Sequence, residues 1–175
     1  MEKIGLIIDS TVYLDEKTIK DNDIKVVSLN VIDGEKSYKE TEITSEFAYK
    51  RQDENARLTT SQPAPQEFLD TYNQAFKEGN DKIIVLTLSK GLSGTYQSAV
   101  LARNMSDKTE DIHILDTSNA AYGNELIMLE LIKCKDNYDN TKDLVASMQE
   151  VIDNSGLFFT VENLHSLQKG GRLSK

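Results

Sequence analysis

Gly91-Leu92-Ser93-Gly94-Thr95 is where this chain concentrates groups able to hold an anion. The stretch follows an apolar run, Lys82 to Leu88, that reads as a buried strand. It precedes Tyr96 to Met105, which reads as a helix. A glycine-rich turn at such a junction presents backbone N–H groups at a helix start, where the dipole favours negative charge. The hydroxyls of Ser93 and Thr95 add side-chain donors. Thr60-Ser61 is a second hydroxyl pair, within a stretch from Thr59 to Pro65 that reads as a loop before a proline-started helix. The spacing matches no common catalytic motif. Thr95 stands where a nucleophile elbow needs glycine, no lysine follows Gly94 as a P-loop requires, and no dinucleotide fingerprint is present. Spacing alone leaves Ser93 equally suited to capping the helix.

Asp9 and Asp116 each end a predicted strand and are each followed by two hydroxyl residues. Two such carboxylates suit a divalent cation held with a phosphorylated ligand. The alternative functional reading is therefore a metal-dependent enzyme acting on a phosphorylated small molecule. Against it, Thr11 occupies the place of the second aspartate that aspartyl phosphatases use. The same side chains can instead organise loops by accepting bonds from nearby N–H groups. His113 falls inside a predicted strand and His165 on the last predicted helix, and Cys134 reads as packing on an apolar helix. Lys169, Arg172 and Lys175 form a basic cluster around Gly170-Gly171. On charge pattern alone it reads as a solvated tail.

Alternating strands and helices must position these groups. The predicted strands are Ile4 to Ile8, Lys25 to Ile32, Lys82 to Leu88, Ile112 to Leu115 and Leu157 to Val161. Most are near-continuous apolar runs, as expected of a sheet covered on both faces. Phe68, Leu69, Tyr72, Ala75 and Phe76 share one helical face. Leu144, Val145, Met148, Val151 and Ile152 share another, with Asn140 as its N-cap. Leu126 to Ile132 is apolar almost all round, which predicts a buried helix. Asp15 to Lys20 and Thr44 to Asp53 complete the set. The pattern predicts a three-layer α/β/α sandwich with a mostly parallel sheet, which binds ligands at the carboxyl ends of its strands.

At 175 residues one domain is expected. The formal net charge of -9 argues against nucleic acid and anionic membrane surfaces, since both demand basic residues. A single cysteine permits no intrachain disulfide and fits a reducing, cytoplasmic setting. The N-terminus carries no signal-peptide pattern, and no apolar run is long enough for stable membrane insertion.

Several of these pieces occur together and in order in one known family. Asp9-Ser10-Thr11, Thr60-Ser61-Gln62-Pro63, Gly91-Leu92-Ser93-Gly94-Thr95-Tyr96, Asp116-Thr117 and Lys169-Gly170-Gly171-Arg172 resemble the bacterial DegV family of fatty-acid-binding proteins across the whole chain. The resemblance implies a carrier rather than a catalyst, with no cofactor beyond a long-chain fatty acid as ligand. It implies that a fatty acid kinase, acting for phospholipid synthesis, takes the presented carboxylate as substrate. Carried over residue by residue, Thr60 and Ser93 hold the carboxylate, with Ser61, Gly94 and Thr95 beside them and Arg172 near the polar end. Leu126, Met128 and Leu129 are candidates for the acyl tunnel. It also implies the N-terminal part of a two-domain fold. Residues 1–163 would be the lipid-binding domain and 164–175 the start of the inter-domain segment. The second domain, which brings a histidine to the carboxylate network, lies outside this chain. Lys90 departs from the family's usual small hydroxyl residue, and Asn119 to Asn124 is less glycine-rich than usual.

Overall fold

The computed structural model describes residues 2–160, 164, 167–168 and 170–172. Its framework is a four-stranded parallel sheet in the order β2-β1-β6-β7, formed by β1 (Ile4–Asp9), β2 (Lys25–Val27), β6 (Lys82–Thr87) and β7 (Ile112–Asp116). Alternation along each strand divides the interior in two. Leu6, Ile8, Ile84 and Leu86 point to one face, where they pack on α5 (Tyr122–Cys134) and α6 (Thr141–Asp153). Ile7, Ile83 and Val85 point to the other, where they meet Phe68, Tyr72 and Ala75 of α3 (Pro65–Lys77) and Ala99 and Ala102 of α4 (Thr95–Met105). Both faces of the strands are buried, so the strands are apolar throughout rather than alternating. The three-layer sandwich expected from the pattern is the fold.

The helix starts follow local chemistry. Asp15 accepts from the Thr18 N–H ahead of α1 (Glu16–Asp21), and Thr44 accepts from the Phe47 N–H ahead of α2 (Ser45–Asp53). Asn140 accepts from the Asp143 N–H at 3.0 Å, as its predicted capping role requires. α3 begins at Pro65, and the Glu67 carboxylate accepts from the Ala64 N–H at 2.9 Å.

The predicted strand Lys25 to Ile32 is two strands. It breaks at Ser28-Leu29, where the Leu29 N–H donates to Ser10 Oγ at 2.9 Å. Beyond the break the chain enters a second, antiparallel sheet in the order β4-β3-β5, made of β3 (Asn30–Asp33), β4 (Lys36–Lys39) and β5 (Leu58–Ser61). Thr59 to Ser61, read as loop, are therefore strand, with Thr60 opposite Val31 and Ser61 opposite Asn30. Arg51 of α2 holds this small sheet with a forked pair of bonds to Asp33, at 2.6 and 3.1 Å. That partnership keeps the Asp33 carboxyl below its ordinary pKa.

Two further expectations are corrected. Leu157 to Thr160 is irregular rather than strand, with Phe158 98% exposed, and Val161 lies outside the described residues. α5 is two-faced: Ile127, Met128 and Leu131 are buried while Leu126 is 69% and Leu129 40% exposed. Met128 is thus plain core, and only Leu126 and Leu129 remain available as apolar wall.

Candidate functional site

The carboxyl ends of β1, β6 and β7 are tied to one another before any ligand is considered. Asp9 is fully buried at the tip of β1. One of its oxygens accepts from the Leu88 N–H at 2.7 Å, the other from the N–H and hydroxyl of Thr11 at 2.9 and 2.6 Å. Burial pushes its pKa above the ordinary carboxylate value, against the pull of those donors. Next to it, Ser10 donates to Glu40 at 2.5 Å and links the two sheets. Asp116, at the tip of β7, accepts from the N–H groups of Lys90 and Ser118 at 3.0 and 3.2 Å. Both aspartates therefore organise loops. Among the described residues no group of three or more His, Cys, Asp or Glu side chains is arranged to hold a metal ion. Lys90, expected to add charge at the pocket, directs its ammonium to Asp116 at 3.3 Å.

Ser89 shapes the turn that follows β6. Its carbonyl accepts from the N–H groups of Leu92 and Ser93, and its hydroxyl accepts from the Gly91 N–H at 3.2 Å. The Thr95 N–H donates to Ser93 Oγ at 3.3 Å. Most of the backbone donors expected to form the anion cradle are thus spent within the turn. The Gly94 N–H is the turn donor without a partner among the described residues. What the turn offers instead is a hydroxyl relay. Ser93 Oγ lies 2.9 Å from Thr95 Oγ1, and Thr95 is fully buried while Ser93 is half-buried. Either hydroxyl can donate in this pair; when Thr95 does, Ser93 accepts two bonds and its own proton can go to an outside acceptor. Accepted bonds polarise that O–H and strengthen what it donates. Thr95 is fully buried, and its hydroxyl meets Ser93.

The Thr60 strand arrives at this turn through Gln62. The Gln62 amide donates to Ser98 Oγ on α4 at 3.3 Å and lies against the backbone of Gly94. Asn30 Nδ2 donates to Ser61 Oγ at 3.3 Å, holding the end of β5. Thr60 is exposed. Arg172 reaches the same turn from the far end of the chain: its Nε donates to the Leu92 carbonyl at 3.2 Å and one terminal nitrogen to the Gly170 carbonyl at 2.8 Å. Gly171 makes this possible. Its φ of +74° reverses the chain so that the Arg172 N–H donates back to the Leu167 carbonyl. Arg172 thus meets the Ser93-Gly94-Thr95 turn at Leu92 and Gln62 meets it at Gly94, while Ser61 and Thr60 lie one and two residues before Gln62 on β5. Sequence reasoning passed over Ser89, Gln62 and Asn30. Ser89 stands two positions from Gly91, which was an available signal, whereas the role of Gln62 depends on a contact distant in sequence.

The remaining candidates fall away from the site. His113, on β7, is half-buried and its pKa is lowered by burial. Cys134 packs beside Met148, with burial raising its thiol. His165, Lys169 and Lys175 lie outside the described residues. After β7, Ala121 takes φ 49° and ψ -124°, a glycine-like conformation, so the loop keeps a glycine-type turn without the glycine.

The fold is a three-layer α/β domain with hydroxyls and one guanidinium near the strand tips of its parallel sheet. The chain belongs to the DegV family: residues 3–175 match the family described as "Uncharacterised protein, DegV family". It is 36% identical over its whole length to a DegV domain-containing protein of Caldanaerobacter subterraneus subsp. tengcongensis and 35% identical to one of Clostridium acetobutylicum. In each case it spans 62% of the relative's length. Among solved structures, a fatty-acid-binding DegV family protein from Thermus thermophilus superposes with a TM-score of 0.87 at 29% identity, over 97% of this chain and 60% of that one. DegV of Bacillus subtilis, described as a fatty acid binding protein, superposes with a TM-score of 0.83 at 26% identity, over 98% of this chain and 61% of that one.

Proposed function

We propose that this chain supplies the head-group half of a long-chain fatty acid site, with Thr60 and Ser93 donating to the carboxylate. Ser61, Gly94 and Thr95 support those donors, and Arg172 provides the positive charge. Residues 1–163 act as the lipid-binding domain and 164–175 begin the connection to a second one. The protein is a carrier, and a kinase takes the presented carboxylate. The fatty-acid-binding relatives from Thermus thermophilus and Bacillus subtilis support this reading. The observation that carries it is local: in a chain of net charge -9, a guanidinium is bonded to the carbonyl next to a half-buried serine hydroxyl in the turn after β6.

The energetics separate two roles. A buried carboxylate without partners costs several kcal/mol, which hydroxyl and guanidinium donors offset. Affinity comes from the tail, at about 0.8 kcal/mol for each buried methylene. The head-group donors then fix orientation and leave the acid end within reach of a partner. Exposed Leu126 and Leu129 are the apolar surface this chain offers to the tail. The test is extraction: the encoded protein, purified without detergent and extracted with organic solvent, yields a stoichiometric long-chain acid by mass spectrometry. Recovery of no acid, together with no uptake of added oleate, contradicts the reading.

A further inference from the structure

Gly94 stands where any residue is allowed by the backbone. Its φ of -76° and ψ of 6° lie in a region open to every L-amino acid. What a side chain there would meet is the end of Gln62. A Cβ on Gly94 would sit 2.2 Å from Gln62 Oε1, 2.6 Å from its Cδ and 2.8 Å from its Nε2. The Gln62 amide therefore rests against the Gly94 backbone, in space that a side chain would take, and a residue larger than glycine would push it aside. From that position its nitrogen donates to Ser98 Oγ at 3.3 Å, and Ser98 is buried in the first turn of α4. Pro63, directly after, is buried as well. One amide thus spans from the end of β5, which carries Thr60, to the helix that the Ser93 turn starts.

From this contact we infer that Gln62 is the positioning residue of the head-group site. It clamps the β5 hydroxyls to the Ser93 turn at a fixed separation, and Gly94 is its matched seat. The inference rests on the fatty-acid reading above and deepens it. Thr60 lies on a strand of the antiparallel sheet and Ser93 in the turn after β6 of the parallel one, and no ladder bond joins the two sheets among the described residues. Gln62 braces that turn directly against the end of β5, and donors on separate elements bind a carboxylate jointly only when their spacing is held.

The test is a set of variants of the encoded protein, each measured for oleate affinity and for thermal unfolding without ligand. Gln62→Ala is expected to weaken oleate binding about tenfold, with a melting shift too small to empty the folded state. In that background Thr60→Ala is expected to cost much less than it does alone, because the hydroxyl is no longer aligned. Gly94→Ala alone is expected to weaken binding as Gln62→Ala does, since its methyl displaces the amide. Adding it to Gln62→Ala should cost little further. A purely structural Gln62 would shift melting and leave the Thr60→Ala penalty undiminished, and that result overturns the clamp. If wild-type protein binds oleate and Gln62→Ala binds it equally well, the clamp fails and the fatty-acid reading stands. If wild-type protein binds no oleate, the reading fails and the clamp with it.

Discussion

Replacing Thr60 and Ser93 together by alanine is expected to lower oleate affinity about a hundredfold while leaving the fold intact. A hydrogen bond to a charged group is worth about 1.5–3 kcal/mol, and about 1.4 kcal/mol is a tenfold change in binding. Two such bonds lost at the lower figure make about two decades, and the tail's contribution is untouched. The fold should persist at a cost of about 1–3 kcal/mol, because the buried Thr95 hydroxyl loses Ser93 while Thr60 carries none of the scaffold. Thr60 is exposed, and the turn around Ser93 is held chiefly by Ser89. The single Ser93→Ala variant should lose more than Thr60→Ala. It removes the donor and also leaves the buried Thr95 hydroxyl without its partner. Displacement of a fluorescent fatty acid measures both. An unchanged affinity in the double variant removes these two residues from the site.

Asp9→Ala is expected to be the most destabilising single change at the strand tips, lowering the melting temperature by roughly 10 °C. It leaves the buried Leu88 N–H and the Thr11 donors without an acceptor. Orphaned buried donors cost about 1–3 kcal/mol each, and about 2–4 °C accompanies each kcal/mol in a domain of this size. The pH dependence has a definite sign. Burial raises the folded-state pKa of Asp9. Its contribution is therefore fully present below the unfolded value, near 3.8, and falls as pH rises through the folded one. The melting gap between wild type and Asp9→Ala should accordingly be wider at about pH 4 than at about pH 8. Asp33 has the opposite sign: Arg51 lowers its pKa, so its contribution is present above 3.8 and lost as pH falls. Calorimetry across pH measures the gap, and a gap that widens with rising pH contradicts the assignment.

Where local chemistry sets structure, the sequence was legible. Pro65, Asn140 and Asp15 mark their helices by capping chemistry that needs only neighbours. Continuous apolar strands announced a sheet covered on both faces. What was illegible depends on distant partners. β3 and β5 are four residues each, half polar, and exist because Val31 meets Thr60 across the fold. Nothing within Leu58 to Ser61 reveals that pairing. The composition of α5 reads as all-round burial, yet packing takes one face and leaves Leu126 outside. Leu157-Phe158-Phe159 has the composition of a strand, but composition supplies no ladder. At the site, donors were countable but their commitments were not. Ser89 uses much of the turn's backbone capacity, and the Thr95 hydroxyl turns inward to Ser93.

The central claim is that a hydroxyl from β5, a hydroxyl from the turn after β6 and one arginine converge on a single carboxylate. A crystal structure of the encoded protein with oleate tests it most directly. The account predicts one carboxylate oxygen within hydrogen-bonding distance of both Thr60 Oγ1 and Ser93 Oγ, with the Arg172 guanidinium nearby and Gln62 still seated on Gly94. An acid whose carboxylate lies elsewhere, or two hydroxyl oxygens too far apart to share an acceptor, contradicts it.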